Sequence, residues 1–266
     1  MLGKLLKYEI KATARTFLPM YALLIVFALI NKFFMAVNAD YLKIPQIISM
    51  SVFVVIIVGI SVMTLLVTIQ RFNKNLLSDE GYLSFTLPVK AHSHIDSKMI
   101  VSLMWTALSV IVSFVSIFVM AINEETIVQL RKFINEVIPE LNKLGAAGYM
   151  IMFEGFIFVI IATLASIITI YAAITIGNMS SKHKLLAGIG AYIGFGVIEQ
   201  IISSIILTSF GGKVEKYFES LRNYSVPEVL YAVQLILLAF IAFYIIFGVA
   251  YYFLTNWMLK KKLNLE

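Results

Sequence analysis

A chain of 266 residues, of which 61% are hydrophobic and 14% charged, is too apolar for a water-soluble domain, where about 25% of residues carry charge. Cysteine is absent, which excludes disulfides, thiolate metal centres and a cysteine nucleophile. The net charge of +6 would suit nucleic acid in a soluble protein, but here the basic residues lie between long apolar blocks, where membrane topology accounts for them and no nucleic acid is called for.

Residues 1–16 set Leu2, Leu5, Leu6, Ile10 and Thr13 near a helical period, with Lys4, Lys7, Lys11 and Arg15 between them. This predicts an interfacial amphipathic helix with its apolar stripe among headgroups and its lysines toward anionic lipids. Blocks long enough to cross a hydrocarbon layer of roughly 30 Å then recur at about 17–37, 47–69, 99–122, 149–176, 185–208 and 229–256. A helix satisfies its own backbone in lipid, so the blocks predict an all-α polytopic membrane protein, one transmembrane domain over residues 1–266 with six transmembrane helices. A barrel would need short alternating segments instead. Pro19 falls near the start of the first span, where a missing amide is tolerated. That span is long enough to be retained, so no cleavable signal peptide is expected.

Thirteen basic residues fall on one side if the chain alternates across the bilayer: Lys4, Lys7, Lys11, Arg15, Arg71, Lys74, Lys90, Lys98, Lys182, Lys184, Lys260, Lys261 and Lys262. The other side carries eight basic and eight acidic residues. The positive-inside rule therefore predicts that the first side, with both termini, is cytoplasmic.

The longest segment on that side, residues 70–98, follows Leu76 and Leu77 with the polar run Ser78-Asp79-Glu80-Gly81, and then with Tyr82, Leu83, Phe85, Leu87 and Pro88. An apolar cluster outside the lipid needs cover, from the chain's own helices or from a partner. A short amphipathic helix exposing Tyr82, Leu83 and Phe85 would fit a groove on a cytoplasmic subunit. His92, His94 and Asp96 alternate in this region but offer too few ligands for a zinc site, so no metal is expected. Of the outer segments, residues 123–148 read as an amphipathic helix interrupted near Pro139. Residues 209–228 hold a short charged helix candidate around Lys213 to Arg222. Both are too small to be enzyme domains.

Glu154 and Glu199 are the carboxylates inside the spans, and each must face protein, a cavity or water. Glu154 stands near the outer start of its span, within reach of water. Glu199, next to Gln200, lies deeper and suits either a functional polar spot or a hydrogen bond between helices or copies. Gly190 and Gly194 form a small-xxx-small packing pattern. No phosphate-binding loop occurs, since Gly211-Gly212-Lys213 is followed by Val214, and His-Glu-x-x-His and Gly-x-Ser-x-Gly are also absent. The chain is not expected to be an enzyme or to hold a cofactor by itself.

A basic amphipathic N-terminus, two spans, a cytoplasmic segment and four more spans resemble the permease subunit of bacterial ATP-binding-cassette exporters of the type two class. The likeness is most specific in Lys7-Tyr8-Glu9-Ile10-Lys11-Ala12-Thr13-Ala14-Arg15, in the run from Gln70 to Val89, and in Ser97-Lys98. The resemblance implies a cytoplasmic coupling helix between spans two and three, around Leu76 to Phe85, docking into separate nucleotide-binding ATPase subunits that bind ATP and magnesium. It implies that Arg71 and Lys74 place this region, and that Asp79 and Glu80 meet basic groups or cap a helix, beside Leu76, Leu77, Tyr82, Leu83 and Phe85. It also implies a second, identical or related permease, with a pathway lined by spans one, two and five for a hydrophobic or amphipathic peptide, lipid or drug. The location implied is the bacterial inner or plasma membrane. Two alternatives compete: a self-contained secondary transporter or channel, and a membrane scaffold or immunity protein without transport.

Overall fold

No apolar block carries a proline at its centre, and each forms one long helix. The computed structural model describes residues 2–37, 39–77, 91–180, 182–220 and 226–261. In chain order the helices are α1 (Leu2–Val37), α2 (Lys43–Leu77), α3 (Ala91–Ala121), α4 (Glu124–Asn178), α5 (Lys184–Ser220) and α6 (Val226–Lys261), with a 3₁₀ turn at Asp40–Leu42. No strand occurs among the described residues. Among the described residues, six helices are long and apolar enough to cross a membrane. At about 1.5 Å per residue, the 36 residues of α1 extend about 54 Å, well beyond a hydrocarbon core of roughly 30 Å. Large apolar side chains such as Leu18, Ile25, Phe114, Phe156 and Ile246 stand exposed on these helices, the surface expected of a multi-pass membrane protein.

Two compact units divide the chain, residues 1–132 and residues 133–266. In the first, α1 presents Phe17, Tyr21, Leu24 and Ala28 at helical spacing to Phe53, Ile56 and Ile60 of α2 and to Val101 and Trp105 of α3. The buried positions of α2, from Ser49 through Phe53, Ile56, Ile60, Thr64, Thr68 and Phe72 to Leu76, recur every three or four residues and form one stripe. Polar bonds set the register. Glu9 pairs with Lys98, Thr13 with Trp105 and Tyr21 with Ser109, so α1 and α3 run parallel. Asn31 donates to the Ser49 carbonyl and Asn75 to Glu9, so α2 runs antiparallel to α1.

In the second unit, Phe158 of α4 meets Phe240 and Tyr244 of α6 edge-on, with centroids 6.4 and 5.7 Å apart. Phe195 of α5 lies 4.5 Å from Tyr251 of α6. Small residues permit the closest approaches. A Cβ on Gly177 would stand 2.6 Å from the Lys184 carbonyl oxygen and 2.7 Å from Gly188 Cα, and one on Gly248 would stand 3.6 Å from Ala165 Cβ.

Three expectations change. Residues 2–16 are not an element of their own, because α1 continues unbroken from Leu2 through Pro19. Proline removes one amide but its φ is helical, so the chain passes through it once flanking turns are packed. The outer segment expected to break near Pro139 breaks instead at Gly145, where φ is 59° and ψ −147°. A positive φ ends helical geometry, and glycine adopts it without a Cβ penalty. The third concerns residues 209–228, expected as a loop with its own short helix. There α5 continues through Gly211 and Gly212 to Ser220.

Candidate functional site

Among the described residues of the first unit, a polar cluster gathers the N-terminal third of α1, the end of α2 and the start of α3. Lys98 has only 3% of its side chain exposed, and Glu9 has 14%. Burying an ammonium group unpaired costs several kcal/mol. Here Lys98 Nζ donates to Glu9 Oε1 at 2.5 Å, and Asn75 Nδ2 donates to the same oxygen at 3.4 Å. Arg71 lines the same small cavity, which has room for about one water molecule at ~10 Å³. The Glu9 carboxylate therefore stands among two cations from two other helices.

Below this cluster the seam continues in hydroxyl and aromatic groups. Trp105 Nε1 donates to Thr13 Oγ1 at 2.7 Å, and Thr13 Oγ1 itself reaches the Glu9 carbonyl at 2.7 Å. The Trp105 ring stacks on Phe17, with centroids 4.6 Å apart and planes 13° from parallel. One turn further, Ser109 Oγ lies 2.8 Å from the Tyr21 hydroxyl and 3.1 Å from Thr64 Oγ1, joining all three helices. Each hydroxyl bonded in this way is removed from lipid and fixes one rotation of its helix.

The residues singled out around positions 70–98 divide. Arg71, Lys74, Leu76 and Leu77 belong to the last turns of α2. Leu76 and Leu77 are buried within this single chain at 0% and 8% exposure, so part of the apolar cluster finds cover at home. Asp79, Glu80, Tyr82, Leu83 and Phe85 lie outside the described residues. No three acidic, histidine or cysteine side chains come together in metal-binding geometry among the described residues.

In the second unit, Glu154 is half-buried and bonded to a neighbouring helix. Its Oε1 accepts from Gln234 Nε2 of α6 at 2.7 Å, and its Oε2 is buried. Glu199 of α5 neighbours the buried Tyr251 hydroxyl of α6, whereas Gln200 is exposed. Gly190 and Gly194 meet nothing within 4 Å in this chain, and the close approach falls at Gly177 and Gly188 instead. None of the apolar window of α5 is buried.

Sequence reasoning missed the Glu9–Lys98 pair, Asn75, the Thr13–Trp105 bond and the Gln234 partner of Glu154. One signal for the first was available: Glu9 is the only acidic residue among residues 1–39, in a run of lysines. Comparison with protein-family models, curated proteins and solved structures finds no match to this chain.

Proposed function

We propose that this chain is the permease subunit of an ATP-driven exporter. It works with a second permease and with separate cytoplasmic ATPase subunits that bind ATP and magnesium. The observation that carries the reading is the run from Gln70 to Lys98. It joins two membrane-length helices, α2 and α3, whose ends are both tied to α1: α3 by the buried Glu9–Lys98 ion pair and α2 by the hydrogen bond from Asn75 to Glu9. The chain has no phosphate-binding loop of its own, which agrees with borrowed hydrolysis.

The second copy is supported by α5. Gly190, Gly194, Val197, Ile201, Ser204 and Thr208 share one face of this helix, and that face is uncovered within one chain. Small residues allow helix backbones to approach, and Gln200 nearby would be costly against lipid. A pathway beside such a face suits a hydrophobic or amphipathic peptide, lipid or drug. In this reading the protein sits in the bacterial cytoplasmic membrane, and its basic termini face the cytoplasm.

Mild extraction into nanodiscs followed by intact-mass measurement tests the proposal. Two permeases with two ATPase subunits are the expected assembly. A stable, reproducible assembly with no ATPase overturns the reading. That result would favour a self-contained transporter, for which the Glu154–Gln234 pair inside the membrane-length helices is the supporting observation. An ion gradient would then drive flux without nucleotide, and E154Q would abolish it.

A further inference from the structure

Glu9 lies in the third turn of α1, Asn75 two residues before the end of α2, and Lys98 seven residues after the start of α3. A single atom, Glu9 Oε1, thus accepts from both helices that border residues 78–90. An ion pair at such a place is a poor device for stability alone. Replacing a buried pair by well-packed apolar residues is often neutral or stabilising. What the pair adds is a directed link between charges, in register with two further polar bonds along the parallel α1–α3 seam, Thr13 with Trp105 and Tyr21 with Ser109. Displacement of α3 along its axis is therefore resisted by these cross-bonds to α1, of which the Glu9–Lys98 pair lies nearest the start of α3.

We propose that Glu9, Lys98 and Asn75 form a clasp that transmits displacement of the α2 and α3 ends to α1. This rests on the permease reading, in which force from an ATPase arrives between those two helices. Glu9 and Lys98 are positioning residues: they act by where they hold the helices. The clasp joins one helix expected to line the substrate pathway to the two helix ends nearest the ATPase.

The test compares amide hydrogen exchange in the assembled complex in nanodiscs, with and without vanadate-trapped magnesium ATP. The wild-type complex should change its exchange both at residues 91–98 and at residues 2–16. In E9L/K98M, which removes both charges and keeps apolar bulk, melting and Trp105 emission should match wild type and the response at 91–98 should persist. The response at residues 2–16 should fall at least about fivefold, the low end of ordinary coupling. The reversed pair E9K/K98E should restore it. A full response at residues 2–16 in E9L/K98M, or failure of a normally folded E9K/K98E to restore it, overturns the clasp and leaves the permease reading intact. A wild-type chain that assembles with no ATPase overturns that reading instead. The clasp is then judged without nucleotide: faster exchange at residues 2–16 in E9L/K98M upholds the tie, and unchanged exchange removes it.

Discussion

Replacing Gly177 by alanine places a methyl group where the structure has no room. The added Cβ would stand 2.6 Å from the Lys184 carbonyl oxygen, 2.7 Å from Gly188 Cα and 2.8 Å from Gly188 N. Carbon atoms in contact settle at about 3.5–4.0 Å, so the shortfall against Gly188 Cα is roughly 1 Å. All three obstacles are backbone, and no side-chain rotation relieves them. The ends of α4 and α5 must therefore separate, and overpacking of this kind costs about 1–3 kcal/mol. With only backbone atoms to move, the upper part of that range, about 2–3 kcal/mol, applies; alanine's better helix propensity returns about 1 kcal/mol, leaving a net loss of about 1–2 kcal/mol. Reversible denaturation in bicelles, followed by tryptophan emission and by circular dichroism, measures it. G190A is the control, since nothing lies within 4 Å of its added methyl, and it should unfold as wild type or slightly later. Equal stability of G177A and wild type, or a loss in G190A as large as that in G177A, would refute the argument. If two permeases pair through α5 as proposed, the order should reverse for association: G190A should shift mass from dimer to monomer at fixed lipid dilution, while G177A should not.

Trp105→Phe keeps the stack on Phe17 but deletes the Nε1 bond to Thr13. Bonds of this kind within membrane bundles contribute about 0.6 kcal/mol on average and up to about 1.7, so denaturation should shift by that amount, and a change above about 3 kcal/mol would mean the ring itself is misplaced. Asn123→Ala removes the side-chain oxygen that accepts from the Thr126 amide at 2.7 Å. The first turn of α4 should lose about 0.5–2 kcal/mol of local protection in hydrogen exchange, with no change beyond Gly145. Gly145→Ala meets no steric obstacle but must hold φ at +59° with ψ at −147°, a backbone region open essentially to glycine alone, which costs about 1–3 kcal/mol. That loss should appear in denaturation, and G145N should recover none of it, because asparagine tolerates a positive φ only where ψ is about +30 to +60°.

The sequence made the helices legible because lipid imposes a length and a composition on them, and the six apolar blocks each fall within one helix. It was less informative about their ends. Pro139 looked like the break in the outer segment because proline disrupts helices in isolation, yet the true discontinuity at Gly145 depends on a dihedral that composition does not reveal. Glycine pairs show the same limit. Gly190 and Gly194 are recognisable as a packing pattern from spacing alone, but a pattern does not name its partner. Gly177 and Gly188 meet because the short turn between them folds α5 back on α4. The Glu9–Lys98 pair joins residues 89 positions apart, and no local period points from one to the other. A lone acid in a basic helix and a lysine at the head of an apolar run were each readable as solvated charges, and only the parallel register of α1 and α3 brings them together.

That register has a cause in the medium. Between helices in a bilayer, burying apolar surface gains little, since lipid tails are as apolar as leucine. The exposed apolar faces of α5 and the buried Phe17, Leu24 and Ala28 of α1 therefore do not by themselves decide how the helices rotate. The polar bonds do. Tyr21, Thr64 and Ser109 converge from three helices, and rotating any one by a single residue, about 100°, would leave hydroxyls facing hydrocarbon. The same argument holds in the second unit for Glu154 and Gln234, whose 2.7 Å bond fixes α4 against α6. A polar side chain left exposed on an apolar helix, as Gln200 is on α5 among the described residues, then becomes the residue most in need of a neighbour from outside the chain.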